Sequence, residues 1–339
     1  MILVTGGAGF IGTNFILDCL KYYDDEIINL DKLTYASNLE NFESTNGDRL
    51  RNIQIDINQC EEIYKIICES KPRLIFHFAA ESHVDRSINS ADEFIASNIN
   101  GTYQLLKATN QYFHDVLMGR DDNFRFMHIS TDEVFGALDQ NDDSFSETSR
   151  YMPNSPYAAS KASSDHIVRA FNQTYNLPTI ITNCSNNFGP FQSPEKLIPK
   201  IITSCMKKKP IPIYGDGMQI RDWLYVGDHT SALLKLSTNG DIGESYCIGG
   251  GTELSNLFLT KKICSKFDEI KNSSKNLSDR LITFVEDRKG HDFRYSIDSS
   301  KLKKTINWNP SNKFDELIEK TILWYLNNED WVLKMLEKH

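Results

Sequence analysis

The chain has 339 residues, 40% of them apolar, enough to bury the core of one large domain or two intimately packed ones. A formal net charge of −9 excludes general nucleic-acid binding, so an anionic ligand would need a local cluster of cations. Seven scattered cysteines without a CxxC pair point to reduced, buried thiols and no metal site, and no apolar stretch approaches a membrane span.

Short apolar runs alternate with amphipathic stretches through the first half, the pattern of a parallel sheet flanked by helices. Strand Ile2–Thr5 starts so early that no targeting segment is expected, and a cytoplasmic location follows. Next come Gly6, Gly7, Ala8, Gly9, Phe10, Ile11 and Gly12, opening a helix over Gly12–Tyr22. Glycines there let the backbone approach a pyrophosphate, which the helix N-terminus attracts. The next strand, Glu26–Asp31, ends on Asp31, nineteen residues after Gly12, where a carboxylate can accept from adenosine ribose hydroxyls. It would repel a 2′-phosphate, so NAD is favoured over NADP. A third strand, Ile53–Asp56, brings Asp56 and Ile57 toward the adenine. After a helix at Glu61–Glu69, strand Leu74–Ala79 ends at Ala79 and Ala80, whose small side chains leave room for the cofactor backbone. The fold class is therefore α/β, a Rossmann-type doubly wound parallel sheet.

A helix over Asn98–Phe113 and a strand over Phe124–Ser130 lead to Thr131, Asp132 and Glu133. Helix Pro156–Tyr175 places Tyr157 and Lys161 on one face, four residues apart. The ammonium and the positive charge of an oxidised nicotinamide can both lower the phenol's pKa and make it a base, and Lys161 can also hold the nicotinamide ribose. Thr131 would hydrogen-bond the reacting hydroxyl. Two neighbouring carboxyls can split their pKa values into one acid and one base, as elimination of water requires. The pair is more than a simple alcohol oxidation needs.

Strand Thr179–Asn183 closes the first part, and beyond Cys184 the rhythm loosens. Asn186-Asn187-Phe188-Gly189-Pro190 reads as a loop, Leu197–Lys209 as a basic helix and Ile211–Tyr214 as a strand. Trp223–Val226 can return to the sheet, and Asp228–Leu236 forms a further helix. The expected division is residues 1–183 plus 223–245 for the dinucleotide, and 184–222 plus 246–339 as a smaller, interleaved mixed α/β substrate-binding domain.

With these residues in view, the chain resembles the extended short-chain dehydrogenase/reductases, and among them the nucleoside-diphosphate-glucose 4,6-dehydratases, along essentially its whole length. The resemblance rests on TGGAGFIG, Asp31-Lys32-Leu33-Thr34-Tyr35, the run from Ala79 to Ser87, Thr131-Asp132-Glu133, the Tyr157–Lys161 helix, the run from Asn183 to Pro199, and two later motifs around Arg221 and Arg288. It implies a redox-neutral conversion of dTDP-glucose or UDP-glucose to the 4-keto-6-deoxy sugar nucleotide. Tyr157 would take the C4 hydroxyl proton, Glu133 the C5 proton, and Asp132 would protonate the departing C6 hydroxyl. It further implies that Lys32, Leu33, Thr34, Ser82 and Asn187 face the cofactor. The sugar nucleotide would be held by Ser82, His83, Asn186, Lys196, Leu197, Pro212, Tyr214, Arg221, Asn256, Arg288 and His291. A homodimer through the helices at Asn98–Phe113 and Pro156–Tyr175 is implied as well. Lys289 stands where the family usually has Pro.

A UDP-sugar 4-epimerase or decarboxylase would need Tyr157 and Lys161 without Asp132 and Glu133. A GDP-mannose 4,6-dehydratase prefers NADP, which Asp31 disfavours. A silent dinucleotide-binding regulator should have lost Tyr157 or Lys161.

Overall fold

The computed structural model describes every residue except Ser44, Asn46, Lys275 and His339. The first part runs β1 (Ile2–Thr5), α1 (Phe10–Tyr22), β2 (Ile27–Asp31), β3 (Leu50–Gln54), α2 (Cys60–Ser70) and β4 (Leu74–His77). Short helices α3 (Val84–Asn89) and α4 (Asp92–Phe94) continue through a π-helical turn, Ile95–Gly101, into α5 (Thr102–Asp115). Then come β5 (Arg125–Thr131), α6 (Pro156–Tyr175) and β6 (Thr179–Cys184). The remainder supplies β7 (Asn186–Phe188), α7 (Leu197–Lys207), β8 (Ile211–Tyr214), β9 (Ile220–Tyr225), α8 (Val226–Asn239), β10 (Ser245–Ile248) and β11 (Glu253–Ser255). It ends with α9 (Asn256–Ile270), β12 (Ile282–Val285), α10 (Ser300–Ile306), α11 (Phe314–Asn327) and α12 (Glu329–Glu337).

Seven strands pair in parallel in the order β10-β6-β5-β4-β1-β2-β3. The order reverses between β1 and β4, where a crevice opens at the carboxyl ends. Alternate side chains explain the two covered faces. Ile2 and Val4 join a core with α1, α8 and α10, whereas Leu3 joins one with α2, α5 and α6. A second lobe is built on β11-β9-β7 and on the β12-β8 pair, around Phe188, Ile202, Trp223 and Ile263.

Three strands differ from the sequence reading. β3 starts three residues before the expected Ile53, because this edge strand offers only Leu50 and Ile53 as apolar residues; its register is set by pairing, Asp31 opposite Gln54. Asn186–Phe188 is a strand rather than a loop, since pairing with β9 overrides the poor strand preference of two asparagines. β9 does not return to the large sheet. That place is taken by β10, which runs past residue 245 to Ile248.

Candidate active site

The carboxyl ends of β1, β4, β5 and β6 open into one cleft. Gly6, Gly9, Phe10, Ile11, Gly12, Asp31, Lys32, Thr34, Asp56, Ile57, Ala79, Ala80 and Ser82 line it together with Thr131, Asp132, Glu133, Tyr157, Lys161, Asn186, Asn187 and Lys196. Gly6 has φ +70°, and a Cβ there would lie 2.5 Å from the Ala79 nitrogen. On Gly12 a Cβ would lie 2.5 Å from the Gly6 carbonyl, so the turn closes only with glycine at both. Gly9 caps α1 without a side-chain hydrogen bond, which leaves the helix's first N–H groups for an anion.

Asp31 is largely engaged by its own loop. Its Oδ2 accepts from the Ala8 N–H at 2.9 Å, and its Oδ1 from the Leu33 N–H and the Ser37 hydroxyl, each at 2.8 Å. A carboxylate has about four lone-pair sites, so one remains for a ribose hydroxyl. Leu33 stands apart from the other expected cofactor residues: its side chain packs against the core, and only its backbone joins the loop. Lys32 pairs with Asp56 at 3.0 Å, while the Asn58 amide N–H holds the other Asp56 oxygen at 2.9 Å. These residues fit a dinucleotide: a backbone cradle for the pyrophosphate and a carboxylate with free capacity.

Thr131 ends β5 and caps the short turn Asp132–Phe135, its Oγ1 accepting from the Glu133 N–H at 3.3 Å. Asp132 is buried; Oδ1 accepts from Thr131 at 3.2 Å, and Oδ2 has no partner among the described residues. Burial, then the Glu133 and Asp222 carboxylates, pushes its pKa well above the usual carboxylate range, which favours the protonated form. Burial also raises Glu133, but Arg288, Arg221 and Lys196 oppose it. The two neighbouring carboxyls thus sit in different electrostatic surroundings.

Of the two charges expected to lower the Tyr157 phenol, Lys161 is the one the chain itself supplies. Burial, then Glu133 and Cys184, raises that phenol well above the ordinary value, against the hydrogen bond from Thr131. Lys161 does not relieve this; its Nζ donates to the Ile129 carbonyl at 2.9 Å, and burial lowers its own pKa. The positive charge of an oxidised nicotinamide is the other expected source.

The second lobe covers the cleft. Lys196 donates to the Ser82 carbonyl at 2.8 Å, and His83 lies 3.3 Å from Glu195. Arg221 is buried over the Tyr295 ring, 4.2 Å from its centroid, and donates to the Asp292 carbonyl at 2.9 Å. Arg288 faces Asp85 at 3.5 Å, and the Tyr214 hydroxyl donates to the same carboxylate at 3.1 Å. The His291 ring lies 2.7 Å from Asp287 and packs edge-on against Tyr214. Asn256 opens α9 with a buried amide oxygen that has no partner among the described residues, like that of Asn186. Pro212 and Tyr214 point outward from β8, whereas Leu197 packs into the lobe's core. Tyr214 and Arg288 thus meet on Asp85 with His291 against Tyr214, Arg288 acts on the charge of Glu133, and Leu197 belongs to the core of the lobe.

Sequence reading missed the supports behind these residues. Asp165, His128, Tyr151 and Asn183 form a buried polar cluster under Thr131. The four-residue step from Lys161 to Asp165 continues the Tyr157–Lys161 face and was a readable signal. Asp85 and Glu195 bear no spacing that would single them out.

Comparison with known proteins gives a consistent set of relatives. A family model described as GDP-mannose 4,6 dehydratase matches residues 3–321. A dTDP-glucose 4,6-dehydratase of Neisseria meningitidis serogroup B is 49% identical over 334 residues, 97% of this chain and 94% of that protein. The crystal structure of a dTDP-glucose 4,6-dehydratase from Streptomyces venezuelae, solved with NAD bound, superposes with a TM-score of 0.89 at 40% identity, covering 98% of this chain and 99% of its own. A UDP-glucose 4-epimerase from Thermotoga maritima has a TM-score of 0.84 but 25% identity, over 97% of this chain and 99% of that one.

Proposed function

This chain belongs to the dTDP-glucose 4,6-dehydratase family, and on that premise we propose that it is a hydro-lyase converting dTDP-glucose to dTDP-4-keto-6-deoxyglucose and water. The observation that carries the reading is the buried Asp132 carboxyl beside Glu133, in the same cleft as Tyr157 and the glycine cradle. A 4-epimerase has no use for such a pair.

NAD, held by the turn from Gly6 to Gly12, by Asp31 and by Lys161, supplies when bound a hydride acceptor for C4 and a positive charge beside the phenol. Thr131 and Tyr157 bind the C4 hydroxyl, and Tyr157 takes its proton. Ketone formation acidifies the C5 hydrogen, which Glu133 removes. Asp132 gives its proton to the C6 hydroxyl and water leaves; the hydride taken from C4 then returns to C6 and C5 takes a proton, so the conversion is redox-neutral. Asn186, Arg221, Asn256, Arg288 and His291 bind the diphosphate and ribose, with the two guanidiniums as the local cations that an acidic chain needs. Lys196, Pro212 and Tyr214 frame the nucleoside. Residues 1–183 with β10 carry the dinucleotide, and the second lobe carries the sugar nucleotide. Among the described residues no helix is long and apolar enough to cross a membrane, and the enzyme acts in the cytoplasm. It works as a homodimer through α5 and α6, whose surfaces expose Tyr103 and Tyr175.

Incubation with dTDP-glucose, and separately with UDP-glucose, in deuterium oxide tests this. Mass spectrometry should show loss of water and one solvent deuteron at C5, with dTDP-glucose the better substrate. Oxidation without water loss, or a C4-inverted sugar, would reject it.

A further inference from the structure

Helix α6 carries a third polar residue on the face of Tyr157 and Lys161. Asp165 is buried, at 2% exposure. Its Oδ2 accepts from Ser130 Oγ and Tyr151 OH, each at 2.9 Å, and from Asn183 Nδ2 at 3.1 Å. Its Oδ1 lies 3.1 Å from His128 Nε2. An anion in such a place is costly unless several donors meet it, and here four do.

These contacts converge on the end of β5. His128 and Ser130 meet Asp165 directly. Between them, the Ile129 carbonyl accepts from Lys161 at 2.9 Å, and the Thr131 carbonyl accepts from Asn183 at 3.2 Å. Four consecutive residues leading to the substrate-facing hydroxyl are thus tied to α6 or β6. Lys161 is buried too, at 3% exposure. Of the groups that face it, Asp165 comes first among those favouring its charge and Cys184 second, while His128 and His77 are unfavourably placed for it.

We propose that Asp165 is a positioning residue for the C4 oxidation: its buried carboxylate, through Ser130, His128 and Asn183, fixes the β5 end that carries Thr131. It touches neither substrate nor the two acids of the elimination. Its loss should therefore slow oxidation and leave sugar-nucleotide binding intact. This inference rests on the dehydratase reading.

Asp165→Asn keeps the volume and removes the charge. With dTDP-glucose, kcat should fall about tenfold or more, as misplacement of reacting groups produces, with KM within about twofold. Deuterium at C4 of the sugar should then slow kcat more than it slows the wild type, because oxidation has become limiting. Ser130→Ala and Tyr151→Phe each remove one hydrogen bond and keep the anion; both should show smaller falls with the same isotope trend. Thermal unfolding of each variant separates this from general damage: a lower Tm and lower kcat with an unchanged isotope effect would overturn the proposal, as would a raised KM at constant kcat. Should Asp165→Asn not fold, unchanged kcat in both other variants overturns it. A wild type that turns over no sugar nucleotide rejects the dehydratase reading instead.

Discussion

Asp132 and Glu133 are adjacent in sequence but differently surrounded, because Glu133 faces three cations and Asp132 only Arg221, behind two carboxylates. Asp132 is buried against Thr131 and sees two carboxylates first; Glu133 sees Arg288, Arg221 and Lys196. Glu133 must be ionised and Asp132 protonated, so kcat should rise as pH rises through the Glu133 pKa and fall as pH rises through that of Asp132. Arg288→Met removes the cation that most opposes the raised Glu133 value. It should move the acid limb of kcat to higher pH, with a higher KM for the sugar nucleotide; an acid limb that stays in place under saturating substrate would show that Arg288 does not act on Glu133. Asp132→Asn should lower kcat about 10²- to 10⁴-fold, the usual worth of a positioned acid, measured as release of 4-keto-6-deoxy product. The residue types were legible in the sequence. Their sorting into acid and base came only from the family resemblance and not from the residues themselves, because Arg221 and Arg288 come from a lobe about 90 and 155 residues further along the chain.

At the scale of elements, α6 shows what local signals determine. Ser155 caps it, accepting from the Ala158 N–H at 3.1 Å, Pro156 occupies the first turn, and Asn176 ends it at φ 55°. Its bounds were therefore readable from sequence. Ser155→Ala should cost about 1 kcal/mol, seen as a fall of about 2 °C in Tm, with no change in the isotope composition of the product; no fall would mean that packing alone holds the helix start. Where the boundaries shifted, long-range pairing decided. β3 is a polar edge strand set by its register with β2, and β7 is two asparagines and a phenylalanine held by β9. Neither has the alternation that marks a half-buried strand.

Across the whole molecule, one sheet positions the chemistry and a second lobe shapes the electrostatics above it. The interior holds buried histidines, His77 and His128 on the sheet and His229 on α8. Burial pushes His128 down to about 4 and His229 down to about 3, and drives His77 well below its ordinary value. An unfolded histidine titrates near about 6.5. The folded state prefers these rings neutral, so their contribution is complete above that pH and is lost as pH falls toward the folded values. Tm should therefore decline steadily from about pH 6.5 toward pH 4, and His128→Gln should flatten part of that decline; a Tm independent of pH across this window would contradict the assignment. The parallel sheet and its glycine turn were plain in the sequence because apolar runs and helix starts are local. The place of β9 in a separate sheet and the cluster around Asp165 depend on contacts between distant segments.

The proposed reaction turns on Glu133 as the base of an elimination that follows oxidation at C4. Its most direct test is a single turnover of dTDP-glucose by Glu133→Gln, quenched and resolved by mass spectrometry. The prediction is a 4-keto-glucose nucleotide that retains its C6 hydroxyl, with almost no 4-keto-6-deoxy product. Formation of the 4-keto-6-deoxy sugar at the wild-type rate would contradict it.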